Sequence, residues 1–185
     1  MKTIEPIPDA LLKDLERISS NILHYHQCKD APEDLNASSY TSFEYMDTIC
    51  SDIAVASEKK CIKYIDLSTS DQFILKKSLS GLYPGCSITK GGFFIYPKGG
   101  YMGWHTNSNS PGKRVYISHV EDADKSFFRC IFNGKKITSY DKSGWNMREF
   151  DVGLNSEPLW HCVNAVNTSR ISLGFRIIPN LKTLS

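Results

Sequence analysis

The sequence predicts a mainly β fold, a jelly roll (double-stranded β-helix) supported by N-terminal helices. Two segments with a helical spacing of apolar residues come first in the chain. From residue 87 onward the pattern changes to seven or eight short apolar segments separated by turn residues. Helices followed by a run of short strands are typical of a double sheet with helices packed on one face. The inward-facing positions of such a barrel can enclose a ligand cavity.

Each of the two predicted helices carries one apolar stripe. Residues 8–28 have apolar side chains at i, i+4, i+7 and i+11, and these positions share one helical face: Leu11, Leu15, Ile18 and Ile22. The second helix is predicted to begin near Thr69, because Gln72 three residues later resembles a capping box. Its stripe is Leu75, Leu79 and Leu82, and Gly81 with Pro84 ends it. We expect both helices only to brace a sheet.

The segment between the two helices has no clean period. Residues 29–48 are polar and aromatic, and they form either a loop over a binding site or a connector. Within residues 49–67 the best strand candidate is 61–65. His24 and His26 lie near the end of the first helix, and a spacing of two puts them on different sides of it. We therefore interpret both histidines as surface residues.

The predicted strands of the second half are punctuated by turn signals. They cover residues 93–96, 102–106, 114–120, 127–132, 137–140, 145–152, 160–163 and 169–176. Asn133-Gly134 is the strongest short signal for a hairpin turn. We expect residues 1–185 to form a single domain, with about 1–86 as helical support and a candidate lid, and about 87–178 as the jelly-roll core.

The composition is that of an ordinary globular protein, at 41% hydrophobic and 23% charged residues. A net charge of +2 is too small to indicate a broad phosphate-binding surface. The six cysteines show no CxxC step, so we interpret them as reduced thiols and not as zinc ligands. The sequence begins without an apolar signal core and has no run long enough for a membrane span, so we expect a cytoplasmic protein.

The last predicted strand has an unusual polar face. Two arginines and two small residues alternate with apolar residues, so the polar set faces one way: Arg170, Ser172, Gly174 and Arg176. Arginine keeps its charge in proteins, and a sheltered pair needs an anionic partner. No acidic residue lies nearby in sequence, which predicts a bound acid. Two histidines are candidate metal ligands near this polar face: His161, in the preceding predicted strand, and His105.

The order and spacing of these residues resemble the Fe(II)/2-oxoglutarate-dependent dioxygenases, especially small prolyl-hydroxylase-like, AlkB-like and phage-encoded members. His105-Thr106-Asn107 resembles the family's His-x-Asp/Glu step, His161 its distal histidine, and Arg170, nine positions later, its cosubstrate-binding arginine. The resemblance implies a metal site of His105, Asn107 and His161, in the facial arrangement that leaves coordination positions open on Fe(II).

The resemblance also implies a binding site for 2-oxoglutarate. Arg170 and Ser172 correspond to the clamp on its far carboxylate, and Tyr96, nine residues before His105, corresponds to a tyrosine that hydrogen-bonds the cosubstrate. Tyr116 is either a strand aromatic or a further hydrogen-bond donor to it. Arg176 is either a second cosubstrate ligand or the partner of a carboxylate such as Glu149 or Asp151.

Asn107 departs from the family pattern, which has a carboxylate at this position. A neutral amide oxygen is a weaker donor to a hard cation. Three interpretations stay open: Asn107 is a functional ligand; the position is left to water or another anion, as in halogenase-like relatives; or the site is inactive. An acidic run of Glu121, Asp122 and Asp124 is a candidate substitute, although a surface turn explains it better.

The implied function is an oxygenase that uses dioxygen and 2-oxoglutarate and releases succinate and carbon dioxide. Its primary substrate is a protein side chain, a nucleobase or a metabolite. The alternative is a non-catalytic jelly-roll module that binds an acidic ligand and has a degenerate metal site. Trp145, Asn146 and Arg148 either face the substrate or serve packing, and we interpret His119 as a core or surface residue.

Overall fold

The computed structural model describes residues 1–24, 30–33, 36–49, 58–153 and 158–180. The helices within these residues are α1 (Asp9–His24), α2 (Ala37–Tyr40), α3 (Phe43–Met46) and α4 (Thr69–Leu82). The strands are β1 (Lys2–Thr3), β2 (Lys60–Cys61), β3 (Lys63–Tyr64), β4 (Cys86–Tyr96), β5 (Tyr101–His105), β6 (Gly112–Val120), β7 (Phe127–Phe132), β8 (Lys135–Tyr140), β9 (Gly144–Val152), β10 (His161–Asn164) and β11 (Arg170–Pro179).

The described strands form two antiparallel sheets. One sheet has the order β1-β9-β6-β11-β4-β3, and the other has the order β2-β5-β10-β7-β8. Apart from the β7–β8 hairpin, consecutive strands from β4 to β11 alternate between the two sheets, as expected when two sheets enclose one core. The predicted mainly β, double-stranded β-helix fold is confirmed.

The two long helices cover the outer face of the six-stranded sheet. The predicted stripe of α1 and two residues of the α4 stripe are buried against β6 and β11, in one apolar cluster that includes Leu11, Leu15, Ile18, Ile22, Leu75, Leu79, Ile117, Leu173 and Phe175. Fully burying a side chain of this size contributes about 1.5–3 kcal/mol. The helices brace the sheet, as the sequence indicates.

The outer face of the five-stranded sheet is covered by the short helices α2 and α3. Trp104 on β5 donates its indole N–H to the carbonyl of Ser42 at 2.8 Å, and Phe43 packs against its ring. These helices lie within the segment 29–48 that had no predicted element. Their short sequences give no helical period. Packing against Trp104 and Trp160 stabilises α3, and Tyr40 of α2 stacks on Tyr101 of β5.

Local details differ from the sequence-based expectation by a residue or two. The N-cap of α4 is Ser68, which accepts a hydrogen bond from the Asp71 N–H, so the predicted cap at Thr69 is wrong by one position. The predicted strand 61–65 is split into β2 and β3, which pair with different sheets. Helix α1 is described to His24, and the side chain of His24 and all of His26 lie outside the described residues.

The described cysteines Cys61, Cys86, Cys130 and Cys162 are free thiols, as expected, whereas Cys28 and Cys50 lie outside the described residues. No helix within the described part of the chain is long and apolar enough to cross a membrane.

Candidate functional site

The two predicted histidine ligands lie side by side between the sheets. β10 pairs antiparallel with β5, and the register places His161 directly opposite His105. Their ring centroids are 4.1 Å apart, and both side chains are buried. The strand pairing, not a local motif, brings together two residues that are 56 positions apart in sequence.

Each imidazole is held in one tautomer by a backbone carbonyl two residues earlier. The Nδ1 of His105 lies 2.8 Å from the Gly103 oxygen, and the Nδ1 of His161 lies 2.9 Å from the Leu159 oxygen. A carbonyl only accepts hydrogen bonds, so each Nδ1 carries the proton and each Nε2 keeps its lone pair. This is the tautomer that a metal-binding histidine with a carbonyl partner adopts.

Burial keeps both rings neutral. It lowers the pKa of His105 to about 4. The pKa of His161 is lowered well below its ordinary value, first by burial and then by the neighbouring His105. Two neutral imidazoles with unprotonated Nε2 atoms are suitable donors to a divalent cation.

Asn107 lies next to His161, in the turn that follows β5. Its backbone has a φ of 54°, in the left-handed region that Asn tolerates better than most residues. The side-chain nitrogen lies 3.1 Å from His161 Nε2 and 3.4 Å from the Tyr116 hydroxyl. The three predicted metal ligands thus lie together, while no cluster of three or more His, Cys, Asp or Glu suited to a metal occurs among the described residues.

A pocket of about 170 Å³ opens beside these residues. Its lining contains the predicted His105, Asn107, His161, Tyr96, Tyr116 and Ser172, together with Lys60, Tyr64, Gly92, Phe94, Met102 and Val163, which the sequence analysis missed. Strand alternation could have found Phe94 and Val163, because each lies two residues from a predicted site residue. Burial raises the pKa values of Tyr96 and Tyr116, so both stay protonated donors.

Arg170 lies opposite Tyr96 in the pairing of β11 with β4 but is not among the described residues that line the pocket. Its side chain has no exposed surface, and its guanidinium carbon lies 5.5 Å from the centre of the Tyr96 ring. The Nε–H donates to Asp141 at 2.9 Å. The Nη1 and Nη2 nitrogens are buried without any hydrogen-bond partner.

Asp141 corrects the expectation that Arg170 has no acidic partner. It follows β8, and only the sheet topology brings it to β11. Its other oxygen, Oδ1, accepts hydrogen bonds from Arg148 at 2.6 Å and from the Ser118 hydroxyl at 3.1 Å. The Ser126 hydroxyl donates to Oδ2, the oxygen that also binds Arg170. Burial would raise the pKa of Asp141, but the charges of Arg170 and Arg148 lower it well below its ordinary value.

The buried cluster has two guanidinium groups and one carboxylate, so it carries one uncompensated positive charge. An arginine buried with two free nitrogens is costly unless an acceptor approaches them. Arg170 therefore has an internal acidic partner at Nε, while its Nη1 and Nη2 nitrogens have no hydrogen-bond partner among the described residues.

Arg176 lies six residues further along the same face of β11. The alternative in which it pairs with Glu149 or Asp151 is wrong: both of these carboxylates contact Lys113 instead. Strand register explains this result, because Asp151 lies opposite Lys113 on β6 and not in the row that contains Arg176. Arg176 lies directly opposite Arg114 on β6.

The remaining polar candidates serve packing or the surface. Arg148 binds Asp141, Asn146 bonds to the backbone of Lys142, and Trp145 packs edge-on against His119. The acidic run Glu121, Asp122 and Asp124 is exposed in the turn between β6 and β7 and, within the described part of the chain, does not line the histidine pocket.

Comparison with solved structures identifies the fold. A prolyl-4-hydroxylase from Pseudomonas putida aligns over 96% of this chain and 91% of its own, with a TM-score of 0.51 and 15% identity. A prolyl hydroxylase from Trichoplax adhaerens, solved with a peptide of the hypoxia inducible factor oxygen degradation domain, aligns over 100% of this chain and 86% of its own, with a TM-score of 0.53 and 11% identity.

The chain has the fold of the prolyl hydroxylases. The fold that the sequence resemblance implies is therefore confirmed. At 11–15% identity the likeness establishes the fold. The sequence matches no protein-family model and no curated protein.

Proposed function

We propose that this protein is an Fe(II)- and 2-oxoglutarate-dependent oxygenase that oxidises a second substrate with release of succinate and carbon dioxide. The observation that carries the proposal is the pair of buried, neutral imidazoles of His105 and His161, opposite each other with unprotonated Nε2 atoms. The pocket beside them also contains Asn107. The prolyl-hydroxylase fold is consistent with this chemistry.

The donor set suits a divalent transition metal. His105 and His161 would bind it through Nε2, and the amide oxygen of Asn107 would be the third donor after a rotation of the amide group. All three donors are neutral, so the ion would keep its full charge, and we expect weaker binding than at a site with a carboxylate. The carbonyls of Gly103 and Leu159 fix the two rings and make them better donors.

The environment of Arg170 suits the far carboxylate of 2-oxoglutarate. Two buried nitrogens without partners present the fork that a carboxylate binds bidentately. Asp141 holds the Nε side of the same guanidinium and fixes its orientation. The Tyr96 and Ser172 side chains line the pocket beside the histidines, and the Tyr96 ring centre lies 5.5 Å from the guanidinium carbon of Arg170. Their hydroxyls would donate to the same ligand.

When bound, Fe(II) and 2-oxoglutarate would supply the oxidising chemistry, and the protein would supply position and shelter. The pocket of about 170 Å³ is smaller than a typical drug-sized site, which suits a cosubstrate of a few heavy atoms. Phe94, Met102 and Val163 give it an apolar wall that excludes water from the reacting atoms.

Anaerobic titration of the full chain with Fe(II) and 2-oxoglutarate tests the proposal. We expect a visible metal-to-ligand charge-transfer band that His105→Ala abolishes, whereas His119→Ala, a histidine outside the pocket, retains it. Arg170→Gln should weaken 2-oxoglutarate binding by about 10- to 100-fold, because it removes a charge-assisted contact. Lys135→Gln, an exposed change of the same charge, should have no effect.

Succinate release against a panel of metabolites, peptides and oligonucleotides then identifies the class of primary substrate. A folded protein that gives no band and binds no 2-oxoglutarate would instead be a binding module, and the proposal would be rejected.

A further inference from the structure

A second pair of arginines lies at the other end of the same face. Arg176 on β11 and Arg114 on β6 are directly opposite each other in the antiparallel register. Directly opposed residues point to the same side of a sheet, with Cβ atoms about 5 Å apart. Like charges in this position destabilise a sheet, and burial together with the charge of Arg176 lowers the pKa of Arg114.

Neither guanidinium forms an ion pair with a carboxylate among the described residues. The strand register explains why the nearest carboxylates, Glu149 and Asp151, do not pair with these two arginines. The row across the sheet is Thr89, Arg176, Arg114 and Phe150. Glu149 and Asp151 flank Phe150 in sequence, so their side chains point to the opposite face, where they bind Lys113.

Two polar atoms in this row are buried without a hydrogen-bond partner. They are the Nε of Arg176 and the hydroxyl of Thr89, which lies opposite Arg176 on β4. Among the described residues, Arg114 donates hydrogen bonds to the backbone carbonyls of Ser110 and Lys113. A hydroxyl and two guanidinium groups that face one another without an acid form a site with unused donors for an oxoanion.

This site is separated from Arg170 by the ring of Tyr116. Tyr116 lies opposite Gly174, and a Cβ on Gly174 would be 3.1 Å from the Cε1 of that ring, so the ring lies against the glycine. Gly174 is midway between Ser172 and Arg176 on the same face. Six residues of strand also separate the two arginine Cα atoms by about 20 Å. Arg170 and Arg176 therefore lie at different positions along the barrel and can bind different groups.

The second site adjoins the histidines. Ser110, whose carbonyl holds Arg114, belongs to the turn that contains Asn107. The Tyr116 hydroxyl lies 3.4 Å from the Asn107 amide, and the Tyr116 and His161 ring centroids are 6.5 Å apart. An anionic group held by the two arginines would therefore place the attached carbon chain beside the proposed metal position.

We propose that Arg114, Arg176 and Thr89 bind an anionic group, a carboxylate or a phosphate, of the primary substrate. This inference rests on the proposed oxygenase function and specifies its substrate class as an anionic molecule or side chain. It assigns Arg176 to the primary substrate, whereas one alternative in the sequence analysis made Arg176 a second ligand of 2-oxoglutarate.

Calorimetric titration of the metal-free full chain with inorganic phosphate, and separately with acetate, tests this site. We expect one of the two ions to bind, with a dissociation constant raised at least about tenfold by Arg176→Gln and unchanged by Lys135→Gln. The ion that binds more tightly identifies the anionic group. Thr89→Val should weaken the same ion by a smaller factor and provides the test if Arg176→Gln does not fold.

A parallel titration with 2-oxoglutarate in the presence of Mn(II) separates this inference from the proposed function. Arg176→Gln should leave that binding unchanged, and Arg170→Gln should weaken it. Loss of 2-oxoglutarate binding in Arg176→Gln would return this arginine to the cosubstrate and overturn the inference. Failure of both ions to bind the unmodified protein, or equal binding to Arg176→Gln, would also overturn it, whereas failure of Arg170→Gln to affect 2-oxoglutarate would refute only the proposed clamp.

Discussion

Arg170 and Asp141 form a fully buried ion pair, with 2.9 Å between the arginine Nε and the aspartate Oδ2. The pair joins β11 of one sheet to the end of β8 of the other. The same carboxylate binds Arg148, so a single acid orients two guanidinium groups. Its position leaves the outer nitrogens of Arg170 free, which is the orientation that a clamp for an external carboxylate requires.

Asp141→Asn should destabilise the protein strongly. The change keeps the shape of the side chain but leaves two buried guanidinium groups without a counter-charge, and breaking a buried pair in this way costs about 3–5 kcal/mol. The free energy of unfolding in urea measures the effect. As a control, Lys136→Gln breaks the exposed pair with Asp47 and should cost less than about 1 kcal/mol. Equal losses in the two variants would mean that Asp141 does not have the role described.

The face on which Arg170 lies could be predicted from the sequence, but its partner could not. Period-two alternation correctly placed Arg170, Ser172, Gly174 and Arg176 on one side of a strand, because that pattern is a local property of the extended chain. Asp141 is 29 residues away, and its approach depends on which strands pair. No local signal in the sequence encodes that pairing.

For the histidine site, too, the sequence predicted the strands but not the way in which they pair. The strand assignments placed His105 and His161 in separate strands, and the family resemblance suggested that they meet. The register of β10 on β5 then places them opposite each other. The short helices α2 and α3 were missed because contacts with Tyr101 and Trp104 of β5 stabilise them, and tertiary packing of this kind leaves no periodic pattern in a segment of four residues.

The metal-free protein should lose stability as the pH falls from about 6.5 to about 4. The pKa of His105 is about 4 in the folded protein and about 6.5 in the unfolded chain. In this interval the unfolded chain binds a proton that the folded protein does not, so the free energy of unfolding falls by up to about 1.4 kcal/mol per pH unit for each such group. His161, whose pKa is also lowered, acts in the same direction.

Urea denaturation at pH 7, 6 and 5 measures this dependence. His105→Gln should reduce the slope, whereas His119→Gln should reduce it less, since His119 is only partly buried. A free energy of unfolding that stays constant over the interval would show that the two imidazoles are accessible to protons.

Asn107→Asp should strengthen binding of a divalent metal. The carboxylate adds a negative charge and a stronger oxygen donor beside His161, whose Nε2 lies 3.1 Å from the present amide nitrogen. Fluorescence-monitored titration with Mn(II) should give a dissociation constant lowered by about tenfold or more, since a charged ligand is worth at least about 1.4 kcal/mol here. Asn133→Asp, in the β7–β8 turn, is the matched control and should not change the affinity. An unchanged affinity in Asn107→Asp would remove residue 107 from the metal site.

Gly174→Ala and Gly81→Ala should have opposite effects on stability. A Cβ at Gly174 would lie 3.0 Å from the Gly92 oxygen and 3.1 Å from the Tyr116 ring, so either backbone or ring must move, at a cost of about 1–3 kcal/mol. A Cβ at Gly81 in α4 would contact nothing within 4 Å, and alanine in a helix is more stable than glycine by about 0.5–1 kcal/mol. Thermal unfolding of the two variants should therefore shift the midpoint down for Gly174→Ala and up for Gly81→Ala. A rise in both variants would show that Tyr116 does not lie against Gly174, and the separation of the two arginine sites would then lose its physical basis.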